Sequence, residues 1–150
     1  MQKTIACDPG VSGGFSIHDG ESIELVAMPE GASQIVRFLL HHKTAGASLW
    51  IEEIPKYVGR NIPSSTTAVL FENYGLVVGA ALAIGYELHR IRPQVWQEPL
   101  GLGGKKSCAT SSEWKRKLRN KAAELYPSQD VTLKNCDALL LLHYVLGGGR

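Results

Sequence analysis

Cysteine is scarce in this chain and unpatterned. Cys7, Cys108 and Cys136 form no CxxC pair and no spacing that builds a zinc site. An odd count without a signal-peptide pattern predicts free thiols and a reducing, cytoplasmic setting. Long apolar runs are also missing. The longest, GLVVGAALAIG at 75–85, is too short to span a bilayer and reads as part of a buried core helix. No membrane partner is therefore expected. There is no internal repeat, linker or low-complexity tract, so residues 1–150 read as one domain with room for a real core. The net charge is only +2, which excludes a uniformly charged polyelectrolyte.

The charge that is present is unevenly placed. Seven of the 16 Lys and Arg residues fall between 105 and 121: Lys105, Lys106, Lys115, Arg116, Lys117, Arg119 and Lys121. A local basic block on a near-neutral chain predicts an anionic partner such as nucleic acid, against the plainer reading of a solvated helix face.

Periodicity and turn chemistry divide the chain into elements. Residues 3–8, 13–19 and 22–28 read as three strands, the last two joined by an Asp19-Gly20 hairpin turn. Ile35, Val36, Leu39 and Leu40 recur at helical spacing within 31–43. ASLWIEEI, 47–54, reads as a fourth strand ended by Pro55. A loop at 55–64 follows, and SSTT at 64–67 offers caps for a long helix to about Ala83. YELHRIR, 86–92, is a fifth strand, and RPQVWQ begins a short helix with Pro93 in its first turn. GLGGKKSCATSS reads as flexible, SSEWKRKLRNKAAELYP as a helix with a Ser cap, and NCDALLLLHYVL as a closing helix. A meander followed by alternating helices and strands predicts an α/β fold with a five-stranded mixed sheet flanked by helices. That order matches the ribonuclease H-like fold.

In such a sheet the first and fourth strands are central neighbours. Asp8 ends one, Glu52 or Glu53 lies on the other, and Asp137 opens the last helix, where it also complements the helix dipole. Carboxylates gathered at one sheet edge repel unless a cation holds them. Two hard cations ~4 Å apart can flank a scissile phosphate. Each acid also has a plainer reading: Asp8 as a turn former with Pro9 and Gly10, Asp137 as an ordinary helix N-terminal acid. Side-chain alternation alone does not choose between Glu52 and Glu53, because Trp50 and Ile54 share the face of Glu52.

Nearly end to end, the chain resembles the RuvC-type Holliday junction resolvases of the ribonuclease H-like superfamily, in their small phage, bacterial and organellar branch. IACDPGVSGGFSI is similar to the family's first-strand motif, LWIEEIP to its fourth-strand motif, and FENYGLVVGAALAIGYELHRIRPQVWQ to its central helix, fifth strand and following turn. EWKRKLRNKAAELYP and CDALLLLHYVL resemble the two closing helices. The resemblance implies Asp8, Glu52 and Asp137 as catalytic, metal-holding acids, with Mg2+ as cofactor and Mn2+ as its substitute. It implies a homodimer built on the long helix, through the stretch Phe71, Gly75, Gly79, and paired symmetric nicks in a four-way DNA junction that leave 5′-phosphates. Phosphate contacts are expected from Lys105, Lys106, Lys115, Arg116 and Arg119, with Lys56 and Arg60, and Tyr57 is a candidate to stack on bases. One departure stands out. The family carries a fourth acid about a turn before the last. Here Leu133, Lys134 and Asn135 precede Cys136, and Asp130 lies seven residues upstream of Asp137. The expected site has three carboxylates, with Lys134 a possible phosphate contact near it. His143, six residues after Asp137, reads as a packed histidine.

Two other readings stand beside the resolvase. One is a branched-DNA-binding protein whose catalysis decayed with the missing acid. The other is a related nuclease acting on other branched DNA or on RNA-containing hybrids. DPGVSGG loosely resembles the phosphate turn of actin-like ATPases, but those folds need two such domains and this chain has length for one.

Overall fold

The computed structural model describes residues 2–55 and 63–148. Lys56, Tyr57 and Arg60 lie outside the described residues.

Five strands form one sheet: β1 (Thr4–Asp8), β2 (Gly14–His18), β3 (Ile23–Ala27), β4 (Ser48–Glu52) and β5 (Glu87–Ile91). Their order across the sheet is β3-β2-β1-β4-β5. The first three pair antiparallel, and β4 runs parallel to both β1 and β5. This is the mixed sheet expected from the sequence. The β2–β3 turn is built as its chemistry predicts. Asp19 Oδ1 accepts from the Glu21 and Ser22 amides at 3.0 and 2.8 Å, and Gly20 adopts φ 105, which a side chain would resist.

Five helices flank the sheet: α1 (Ala32–His42), α2 (Ser64–Ile84), α3 (Pro93–Gln97), α4 (Ser111–Leu125) and α5 (Cys136–His143). Strand alternation divides the core in two. Ile5 and Cys7 of β1, Phe15 and Ile17 of β2, and Leu49 and Ile51 of β4 pack with α1 and α2. Ala6 and Ile91 look the other way, toward Trp96, Trp114, Leu118, Cys136 and the buried Leu139–Leu142 run of α3, α4 and α5. The result is a three-layer α/β/α arrangement.

Three expectations need correction. The long helix is capped by Pro63 without a side-chain bond, so the SSTT stretch lies inside the helix. The cap of α4 is Thr110, whose Oγ1 accepts from the Glu113 amide at 3.1 Å while Glu113 Oε2 accepts from the Ala109 amide at 3.0 Å. The hydroxyl one residue before the expected serines is the one whose extended backbone aims it at the first turn. The glycine-rich basic stretch is not simply irregular, because Lys105–Ser107 closes a 3-10 turn.

The apolar second half of α2 is also less buried than its composition suggests. Only Val77, Val78 and Ala81 are buried, and Leu82 is 57% exposed. At 21 residues with a window hydropathy of 1.6, α2 is long and apolar enough to cross a membrane by length and composition. One side of it meets the sheet and α1, and more of it is apolar than that side uses.

Candidate active site

The site begins with strand alternation. In β1, Ile5 and Cys7 face α1 and α2, so Asp8 turns to the opposite side, toward α5. In β4, Leu49 and Ile51 face α1 and α2, so Glu52 turns the same way as Asp8. Cys7 pairs with Ile51 across the parallel ladder, which leaves Asp8 and Glu52 on adjacent strand ends. Glu53 is exposed, and its amide donates to Ile91 O at 2.7 Å. The structure therefore places Glu52, and not Glu53, beside Asp8. The buried Leu49/Ile51 pair, rather than Trp50 and Ile54, carried the signal.

The turn after β1 holds Asp8 in place. Its Oδ1 accepts from the Gly10 amide at 3.0 Å, and the Gly13 amide donates to Gly10 O at 2.9 Å. Gly13 lies against the acid itself. A Cβ there would come within 2.4 Å of Asp8 O and 2.7 Å of the Asp8 carboxyl carbon. No side chain fits that space, so β2 brings a bare backbone past the acid. The turn-forming reading of Asp8 is thus seen directly, and it leaves the carboxylate's other oxygen free of a hydrogen-bond partner among the described residues.

Asp137 arrives from the other layer, in the first turn of α5, whose apolar face packs against β1 and β2. Its Oδ1 accepts from the Cys136 thiol at 3.4 Å. Its Oδ2 accepts from the Lys115 ammonium of α4. This ion pair is half-buried, with side-chain exposures of 32% for Lys115 and 14% for Asp137. Glu52 Oε2 accepts from the Trp96 indole N–H of α3 at 2.9 Å. The three acids thus come from two strands and a helix, and each is oriented by a donor from a different segment.

The charges of the site bear on Asp8 and Glu52. Burial pushes the Glu52 carboxyl up to about 8, and Asp8 and Asp137 push the same way, against Trp96 and Lys115. Asp8 is raised by burial and then by Asp137, with Lys115 and the Gly10 amide opposing. Burial works against the Lys115 charge, but Asp137 and Asp8 overcome it and its affinity for a proton rises. The Cys136 thiol is pushed up to about 12 by burial and by Asp137, which keeps it neutral.

A cleft of about 1170 Å³ opens above this floor. Glu52, Asp137 and Lys115 line its base, and Lys105, Lys106, Gln94 and Gln97 line its walls. The basic block is therefore split. Lys105 and Lys106 line the cleft, and Lys115 is turned inward onto Asp137 instead of outward to solvent. Arg116 is exposed and outside the cleft lining. Arg119 also lies outside that lining. Its Nε donates to Val131 O at 3.3 Å, bracing the segment that leads to α5. Lys134 is exposed and does not line the cleft. His143 Nδ1 and Tyr126 Oη are hydrogen-bonded at 3.0 Å, a packing role as expected. Trp96 is the site residue that residue-level reading missed. A buried indole needs an acceptor for its N–H, and that requirement was the available clue.

The donor set is chemically suited to a hard divalent cation: three carboxylates, two with an oxygen that has no hydrogen-bond partner among the described residues, Asp8 Oδ2 and Glu52 Oε1. Yet among the described residues no three His, Cys, Asp or Glu side chains form a ready-made cage. Asp137 is turned to Lys115.

No protein-family model matches the chain, and no curated protein matches it. Solved structures do. The chain is similar to the Thermus thermophilus RuvC structure, at 18% identity and TM-score 0.59, over 99% of this chain and 98% of that one. It is similar to T. thermophilus RuvC in complex with a Holliday junction substrate, at 13% identity and TM-score 0.60, over 100% and 99%. The fold is that of RuvC, as the motifs led us to expect.

Proposed function

We propose, from the fold shared with RuvC and an acidic floor beneath a basic cleft, that this chain is a metal-dependent endonuclease that resolves four-way DNA junctions. One observation carries the reading. Asp8, Glu52 and Asp137 converge from β1, β4 and α5, and Glu52 and Asp137 line a cleft that Lys105 and Lys106 also line. Three part-buried carboxylates gathered together are costly in a fold unless a cation offsets their charge. The structural neighbour bound to a Holliday junction supports branched DNA as the substrate class.

Asp8, Glu52 and Asp137 would hold Mg2+, or Mn2+ in its place. Bound there, the ion supplies an acidified water and neutralises charge on the phosphate being cut. The chain's own residues do the rest. Trp96 fixes the Glu52 carboxylate, and the Gly10 amide fixes Asp8. Lys105 and Lys106 draw the phosphate backbone into the cleft. In-line attack by water breaks the P–O3′ bond, leaving a 5′-phosphate and a 3′-hydroxyl.

Two symmetric nicks call for a two-fold homodimer. The exposed apolar surface of α1 and α2 supports one, with Leu40 and Leu82 each 57% exposed and Phe71 38% exposed. Gly75 and Gly79 lie on open surface, since a Cβ at either meets nothing within 4 Å. The pairing of Lys115 with Asp137 favours the second reading, a branched-DNA binder without catalysis.

The experiment is cleavage of a synthetic four-way junction beside linear duplex, with Mg2+, with Mn2+ and with chelator. Paired nicks that need metal support the resolvase. Tight junction binding with no nick under either metal supports the binder.

A further inference from the structure

Lys115 is the described cation that reaches the acidic floor. It leaves the basic surface of α4 to donate to Asp137 Oδ2. Its stem runs along the cleft wall, beside Trp114 and Leu118. Asp137 offers its remaining oxygen, Oδ1, only to the weak Cys136 thiol. Lys115 thus neutralises the carboxylate that a metal would also need, and no three-acid cage stands ready among the described residues.

We propose that Lys115 is an internal counter-cation that a divalent ion must displace from Asp137, and that the freed ammonium then serves the phosphate in the cleft. This rests on the reading of the three acids as metal ligands. An ammonium and a divalent ion cannot share Asp137 Oδ2, because two cations at contact distance repel strongly in a half-buried site. The displaced side chain can turn into the cleft it already lines. Metal uptake and delivery of a positive charge to the scissile phosphate are then one event. Metal-free protein keeps its acids paired and its cleft less positive.

The test uses the wild-type protein without DNA. Lysines are acylated briefly in chelator, in Mg2+ and in Mn2+, and each site is quantified by mass spectrometry. Mn2+ binding is followed in parallel by electron paramagnetic resonance. Lys115 modification rises several-fold on metal binding, while Lys105 and Lys106 change little. In the same resonance titration, Lys115→Met binds Mn2+ about tenfold tighter than wild type, having lost its competitor. If Mn2+ binds the wild type and Lys115 reactivity stays flat, the counter-cation role is overturned and the metal site stands. If Lys115→Met binds Mn2+ no more tightly, or more weakly, the role is likewise overturned. If Mn2+ binds neither protein, this inference and the metal-ligand reading fall together. The acylation arm needs no variant to fold.

Discussion

The two faces of this sheet are built from the same strands and end in opposite ways. Toward α1 and α2, alternate residues make an all-apolar core, Ile5, Cys7, Phe15, Leu49 and Ile51, and the outer helices still present uncovered apolar side chains to solvent. Toward α3, α4 and α5, the apolar core of Trp96, Trp114 and Leu139–Leu142 gives way at the strand ends to Asp8, Glu52 and Asp137. A one-residue step along β1 or β4 separates a core side chain from a carboxylate. One face has surface left over for a partner, and the other has charge left over for a ligand.

Substitutions on the charged face have the largest expected effects. Asp8→Asn or Asp137→Asn lowers junction cleavage by about a thousandfold or more, since an acid proposed to hold the metal is lost. Junction binding, measured by gel shift, stays the same or tightens as a negative charge leaves the cleft. Normal cleavage by either variant breaks the contrast between the faces. Gly13→Ala forces β2 off the Asp8 turn and costs about 2 kcal/mol or more in chemical unfolding, with cleavage falling as well. A fully stable, fully active Gly13→Ala protein shows that the close approach is not needed.

On the apolar face, Leu82→Asp combined with Phe71→Asp separates the proposed dimer into monomers by analytical ultracentrifugation, with Tm little changed because both residues are exposed. A dimer that survives the pair assigns the interface elsewhere. Trp96→Phe keeps the packing and removes the bond to Glu52, with an expected cost of about 1 kcal/mol and roughly tenfold in cleavage rate. An unchanged rate removes the indole from the site.

The pH dependence of the metal-free protein sharpens the same contrast. The folded Glu52 carboxyl lies near 8, above its ordinary value of 4.5, so the native state holds more protons than the unfolded state between those values. Stability in chelator therefore falls as pH rises through that window, and saturating Mg2+ flattens the fall. In Glu52→Gln the slope is reduced. A wild-type Tm that rises from pH 5 to 8 in chelator runs against a buried, proton-hungry Glu52.

Much of this was legible in the sequence because it is local. Short apolar runs marked β1, β2 and β3, the Asp19-Gly20 turn marked the hairpin, and the carboxylates at the ends of β1 and α5 stood out against apolar surroundings. Other features were misread for want of a neighbour. The apolarity of α2 suggested burial, but how much of a helix is covered depends on what packs against it, and α2 meets the sheet and α1 on one side. Lys115, Arg116 and Arg119 looked alike as basic helix residues. They part only because α4 lies against α5, so that a lysine 22 residues before Asp137 reaches it while Arg119 reaches Val131 O.

The sequence by itself determined the strand and helix order, the mixed sheet and the candidacy of Asp8 and Asp137, since alternation, caps and turns act over a few residues. Only the tertiary structure set Glu52 beside Asp8, tied Trp96 to Glu52 across 44 residues, and turned Lys115 inward. Those choices depend on which helix lies over which strand end, and contacts between distant segments are set by packing the whole chain.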